Sequence, residues 1–169
     1  METIEAIYKR RSIRKFTDKP MTAQQIETLL KAAMMAPTGR NMQEWEFLVI
    51  QDRQTLSKMA ELLPNGPMLK EAPCAIVICA DMDIEMAAAF YAGDCGAAAQ
   101  NILLAATDMG LGSVWLGVQN NAERIEKVKK FFNLPKNIEP FNIIALGYSA
   151  EEKGAAERYN AKKVRFEKW

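Results

Sequence analysis

Apolar residues along this chain recur with short, regular periods broken by turn residues, and each period predicts one element. Residues 2–9 set Ile4, Ile7 and Tyr8 on one face of a short helix. Thr22 is placed to cap a second helix, and "AQQIETLLKAAMMA" then keeps a 3.6-residue apolar period up to Pro37. "EWEFLVIQD" (44–52) reads as a strand, and "RQTLSKMAELL" (53–63) as a helix stopped by Pro64-Asn65-Gly66-Pro67. "CAIVICAD" (74–81) is an unbroken apolar run of strand length, which marks a buried central strand. A long helical stretch over 84–108 follows, then a strand, "GSVWLGV" (112–118). "NAERIEKVKKFFN" (121–133) reads as a helix ended by Leu134-Pro135, and "EPFNIIALGYS" (139–149) as the last core strand. The remaining tail is polar but finishes with Val164, Phe166 and Trp169.

Helices and strands mix along the chain, which predicts an α+β domain around one sheet. There is no repeat, linker or low-complexity segment, so residues 1–169 read as a single domain. A chain of this length buries roughly 70% of its unfolded surface, enough for a core without disulfides.

The segment "MAAAFYAGDCGAAAQNILLAA" (86–106) resembles a membrane span, but Asp94, Gln100 and Asn101 interrupt it. One charge near a bilayer centre costs about 3 kcal/mol. Two readings stand for this helix. It is a central core helix, or a core helix whose small residues also admit a second subunit.

Charge and composition narrow the chemistry. Lys and Arg number 22 against 21 Asp and Glu, which argues against a general nucleic-acid binder and an electrostatic membrane binder. Three scattered cysteines (Cys74, Cys79, Cys95) and a start without an apolar signal core predict a cytoplasmic protein with reduced thiols. The chain has no histidine. That removes the commonest general base and metal ligand together, and no metal site is expected. Gly110-Leu111-Gly112 is not a dinucleotide loop, because Trp115 stands where a third glycine is needed. Gly110 reads instead as the residue closing the long helix. Asp81, Asp83 and Glu85 read as a solvated loop.

Against this near-neutral background, "KRRSIRKF" (9–16) gathers five basic residues in eight. It is a solvated loop, a nucleic-acid patch disfavoured by the net charge, or a clamp for a small anion. Guanidinium groups bind phosphate oxygens bidentately, and a serine hydroxyl adds a donor.

"RRSIRKF", "AAMMAPTGRNMQEWEFLVI", "GDCGAAAQNILLAATDMGLGSVWLG" and a tail with "RY" and a terminal Trp occur in this order. Together they resemble the FMN-dependent nitroreductase family over nearly the whole chain. The resemblance implies a mostly antiparallel central sheet flanked by helices, with the long helix at a homodimer interface. It implies that Arg10, Arg11, Ser12 and Arg14 grip the FMN phosphate and nearby flavin atoms. Pro37, Thr38, Gly39 and Asn41 would line the flavin across the interface, with Arg40 near the substrate, while Trp45 reads as core. Asn65 would meet the flavin pyrimidine edge, though a plain turn residue suits P-N-G-P equally. The lysine that some members carry nearby has no clear match; Met68 and Lys70 lie about there.

Trp115, Leu116 and Gly117 would run beside the flavin ring, with a backbone N–H of Leu116 or Gly117 at N5. Arg158 would return to the phosphate, with Lys162, Lys163 and Arg165 as alternatives. Phe90 and Tyr91 face the acceptor pocket or simply pack in the core. The implied activity is hydride transfer from NAD(P)H through flavin N5 to a flat acceptor (nitroaromatic, quinone or flavin) by a ping-pong cycle. Another reductive reaction on the same scaffold, or a non-enzymatic FMN carrier, are the alternatives.

Overall fold

Strands β1 (Trp45–Ile50), β2 (Cys74–Asp81), β3 (Gly112–Gly117) and β4 (Ile138–Gly147) form one sheet in the order β1–β2–β4–β3. All of these pairings are antiparallel. The protein is seen here as a computed structural model that describes residues 1–154 and 156–169. Its helices are α1 (Thr3–Lys9), α2 (Ala23–Met34), α3 (Arg53–Leu62), α4 (Ala87–Asp108) and α5 (Ala122–Phe132). The expected α+β architecture and antiparallel sheet are both present.

β2 lies between β1 and β4, and the apolar run Cys74–Ala80 is buried throughout. Alternate residues of a strand point to opposite faces. Ala75, Val77 and Cys79 therefore join Leu56, Met59 and Val128 from α3 and α5 in one core. Cys74, Ile76, Ile78 and Ala80 join Leu29 of α2 and Ile102 of α4 in the other. Burying each such aliphatic side chain contributes about 1.5–3 kcal/mol. All three cysteines are free and buried. Burial pushes the thiols of Cys74 and Cys79 up to about 12, so they stay protonated and inert.

Helix ends follow local chemistry. Thr22 caps α2 in a capping box with Gln25, as the pattern predicts. α2 stops at Met34, two residues short of the expected Ala36, because the residue before Pro37 is disfavoured in the helical region. α4 begins at Ala87 rather than 84, because Met86 is left-handed at φ +67°. Gly110, at φ +71°, closes it.

α1 departs from expectation in its packing. Only Ala6 is buried, whereas Ile4, Ile7 and Tyr8 remain exposed. Their apolar face finds no cover within one chain. No helix among the described residues is long and apolar enough to cross a membrane.

Candidate functional site

The basic segment is not a free loop. It runs as an extended edge beside β3, through a parallel bridge from Ser12 to Ser113. The Ile13 N–H donates to the Ser113 carbonyl at 2.9 Å, and the Thr17 N–H to the Tyr148 carbonyl at 2.9 Å. Ile13 and Phe16 turn into the core. Ile13 lies so close to Gly112 that a Cβ there would stand 2.7 Å from its Cγ2. Only glycine lets the segment dock at this distance.

That docking sends Arg10 and Arg11 into a recess of about 410 Å³, lined also by Ile7, Tyr8, Gln100 and Arg158. Arg11 donates from Nε to the Gly154 carbonyl at 2.8 Å, and from Nη1 to the carbonyls of Arg10 (2.7 Å) and Tyr8 (3.0 Å). Its Nη2 is buried and has no partner among the described residues. Burial first, and then the charges of Arg158 and Arg11, hold the Arg10 guanidinium below its ordinary proton affinity. Like charges have been brought together in a concave place with a donor left over. A phosphate dianion would relieve the repulsion and take the spare N–H.

Ser12 and Arg14 lie outside that recess. The Ser12 carbonyl accepts from Lys153 Nζ at 2.6 Å. The Arg14 N–H donates to Glu151 Oε1 at 2.5 Å, and its side chain is exposed. Lys162, Lys163 and Arg165 are exposed on the tail, also outside the recess, and Arg165 Nη1 donates to the Val164 carbonyl at 3.0 Å.

A second cluster forms at the end of β3. Asn65 Nδ2 donates to the Gly117 carbonyl at 3.4 Å, and Arg124 Nη1 donates to the same oxygen at 3.2 Å. Asn65 Oδ1 is buried without a partner among the described residues. The loop before β2 and the start of α5 thus meet at the residue expected beside the flavin ring. Arg124 went unnoticed in the sequence. Its one local signal is Asn121, which caps α5 by accepting the Arg124 N–H at 2.9 Å and so puts Arg124 in the first turn. Leu116 is buried, whereas Trp115 is 37% exposed and stacks edge-on against Phe141 at 5.5 Å. Tyr91 meets Phe141 from the other side at 6.2 Å.

The third cluster is the turn Pro37–Trp45. Arg40, Asn41 and Gln43 are left-handed, at φ +53°, +56° and +53°. The Gln43 N–H donates to Thr38 Oγ1 at 3.1 Å, and Gln43 Nε2 to Asn41 Oδ1 at 2.9 Å. The Gly39 N–H donates to Asp94 Oδ2 at 2.7 Å. Arg40 is exposed, and the Phe90 ring covers Gly39. Trp45 is half-buried against Phe47. Glu44 is fully buried, which no local pattern announced. Within one chain, neither this turn nor the Gly117 corner lines the arginine recess.

Comparison with known proteins identifies the family. The model of the nitroreductase family matches residues 7–66 and 61–148. A protein of Methanothermobacter thermautotrophicus, provisionally named NADH dehydrogenase/NAD(P)H nitroreductase, is 41% identical over 169 residues, covering 100% of this chain and 88% of the relative. A solved structure from Parabacteroides distasonis with the same provisional name aligns at TM-score 0.94 and 42% identity, over 99% of this chain and 98% of that one. The structure of an FMN-dependent nitroreductase from Clostridium difficile R20291 aligns at TM-score 0.91 and 34% identity, over 98% and 99% of the two chains. An ordered match over most of the sequence, on the same fold, makes this chain a member of the nitroreductase family.

Proposed function

We propose that the chain works as a homodimer and passes reducing equivalents from NAD(P)H to a flat acceptor (a nitroaromatic, quinone or flavin) in a ping-pong cycle. As a nitroreductase-family member it is an NAD(P)H-dependent oxidoreductase with FMN as cofactor. FMN, when bound, supplies the two-electron chemistry at N5, and the protein supplies binding and orientation.

The observation that carries this reading is the convergence of Arg10, Arg11 and Arg158 with a spare buried Nη2. These three guanidiniums would hold the phosphate. Ser12 and Arg14, outside the recess, would add donors to the phosphate or nearby flavin atoms. Asn65, with its unpartnered Oδ1, suits the N–H of the flavin pyrimidine edge. Leu116 and Gly117 would offer a backbone N–H toward N5. Arg124 adds a positive charge at that corner, where the matching lysine is missing from the sequence.

Pro37, Thr38, Gly39 and Asn41 would form a wall contributed by the partner subunit, with Arg40, Phe90 and Tyr91 on the acceptor side. Two features support the dimer. Ala88, Ala89, Ala92 and Gly93 leave a strip of α4 exposed, and Ile4, Ile7 and Tyr8 of α1 lie uncovered. Exposed apolar residues on both helices suit an interface. The aromatic group Tyr91–Phe141–Trp115 would favour flat acceptors.

The test is anaerobic addition of NADH or NADPH to the yellow protein, then of a quinone or nitroaromatic. The nucleotide should bleach the flavin and the acceptor should restore it, with parallel double-reciprocal lines at steady state. Failure to bleach with either nucleotide, or intersecting lines, contradicts the reading.

A further inference from the structure

Glu44 ends the turn expected to wall the flavin site. It is 0% exposed, and neither carboxyl oxygen has a donor among the described residues. An ionised carboxylate without a donor is among the costliest groups a fold can bury. Glu44 faces Asp94 of α4, and no cation among the described residues faces it. Cys95, the next residue on α4, also adjoins the pair, and burial together with Glu44 and Asp94 keeps its thiol protonated. Burial raises the proton affinity of Glu44 above that of an ordinary glutamate, and Asp94 adds to the rise. Asp94 in turn accepts the Gly39 N–H at 2.7 Å. Asp94 therefore lies between Glu44 and the Gly39 amide.

The turn needs such a tether. Arg40, Asn41 and Gln43 hold left-handed backbones that L-residues keep only where the surroundings impose them. Its other polar ties, Gln43 to Thr38 and to Asn41, lie within the turn and do not anchor it to the rest of the fold.

We propose that Glu44 and Asp94 share one proton, and that this pair is the positioning device that fastens the turn to α4 and holds Arg40 on the acceptor side. Two facing carboxyl groups with no cation nearby titrate as a pair, and the first proton stays on to keep them from repelling. Loss of that proton as pH rises leaves two facing carboxylates, whose repulsion strains the Asp94–Gly39 tether. The placing of Arg40 rests on the flavin-site reading of the turn. The tether itself does not, and shows without any flavin.

The test is hydrogen exchange of the segment 38–44 in the full-length protein, corrected for intrinsic rates, across about pH 4 to 9. In the wild type, protection should fall at least about fivefold as pH rises from the ordinary glutamate range through the raised Glu44 value. Glu44→Gln, whose amide donates to Asp94 at every pH, should remove that fall. Asp94→Ala should lose protection at every pH, and raise the KM for acceptor about tenfold with kcat changed less than about twofold. Asp94→Asn keeps an acceptor for Gly39 and a donor for Glu44, and should restore protection without the pH dependence, including where Asp94→Ala fails to fold. Protection that is flat with pH in the wild type, or unchanged by Glu44→Gln, overturns the shared proton. Protection retained in Asp94→Ala, or not restored by Asp94→Asn, overturns the tether. A protein that passes these tests but never bleaches with NAD(P)H refutes the proposed function alone.

Discussion

The basic segment and the Pro37–Trp45 turn handle charge in opposite ways. In the segment, Arg10, Arg11 and Arg158 are gathered around an open recess, and their repulsion is left unresolved. In the turn, Glu44 is sealed away from solvent beside another acid, and no cation among the described residues faces it. Unpaired charge beside a cavity can be neutralised by a ligand that arrives later. Unpaired charge inside a core must be neutralised within the fold. The first arrangement points to a binding site, and the second to the apparatus that holds a binding site in shape.

Removing the charges of the recess should have the largest effect. Arg10→Ala/Arg158→Ala deletes two charge-assisted partners at about 1.5–3 kcal/mol each. FMN affinity, read by flavin-fluorescence titration, should fall about 10²- to 10⁴-fold while circular dichroism stays unchanged. A fall below tenfold would break the contrast, by making the recess one more solvated patch. Asn65→Ala should come next, with about a tenfold loss of FMN affinity, the worth of a single hydrogen bond to a buried partner.

A smaller effect is expected in the turn. The folded protein holds the Glu44 proton more tightly than the unfolded chain does. Its stabilising contribution is full below the ordinary glutamate range. It is lost as pH rises from there through the raised folded value. Glu44→Gln should flatten that part of the stability curve. At about pH 8 it should raise Tm by about 2–4 °C, the shift expected from roughly 1 kcal/mol in a chain of this size. A Tm profile with the same slope as the wild type would place the pair's charge in solvent. The smallest effect should belong to Lys9→Ala. Lys9 pairs with Glu5 on the exposed face of α1, where solvent screens the pair. FMN affinity should change less than about threefold, which separates guanidinium placement from bulk charge.

The two regions also differ in how far they could be read from the sequence. Arg10, Arg11 and Ser12 are contiguous, so their shared chemistry was visible as a run. The apolar run of β2 and the capping box at Thr22 were legible for the same reason, since each is a local pattern. The partner of Gly39 stands 55 positions along the chain, and only the packing of the turn against α4 brings it near. Glu44 reads as a surface residue in any local window, and only burial reveals otherwise. Arg124 and Asn65 come from separate loops and meet at a single carbonyl. The exposed face of α4 stays open between core and interface in the sequence, because periodicity shows that a face is apolar and not what covers it.

The central claim is that the guanidinium recess exists for a phosphate, and the most direct measurement is the ratio of FMN to riboflavin affinity. These two ligands share the ring and differ in the phosphate. The wild type should bind FMN at least about a hundredfold more tightly, and Arg10→Ala/Arg158→Ala should bring the two affinities to within about threefold. Equal binding by the wild type, or a preference that survives the double substitution, would show that the recess serves something else.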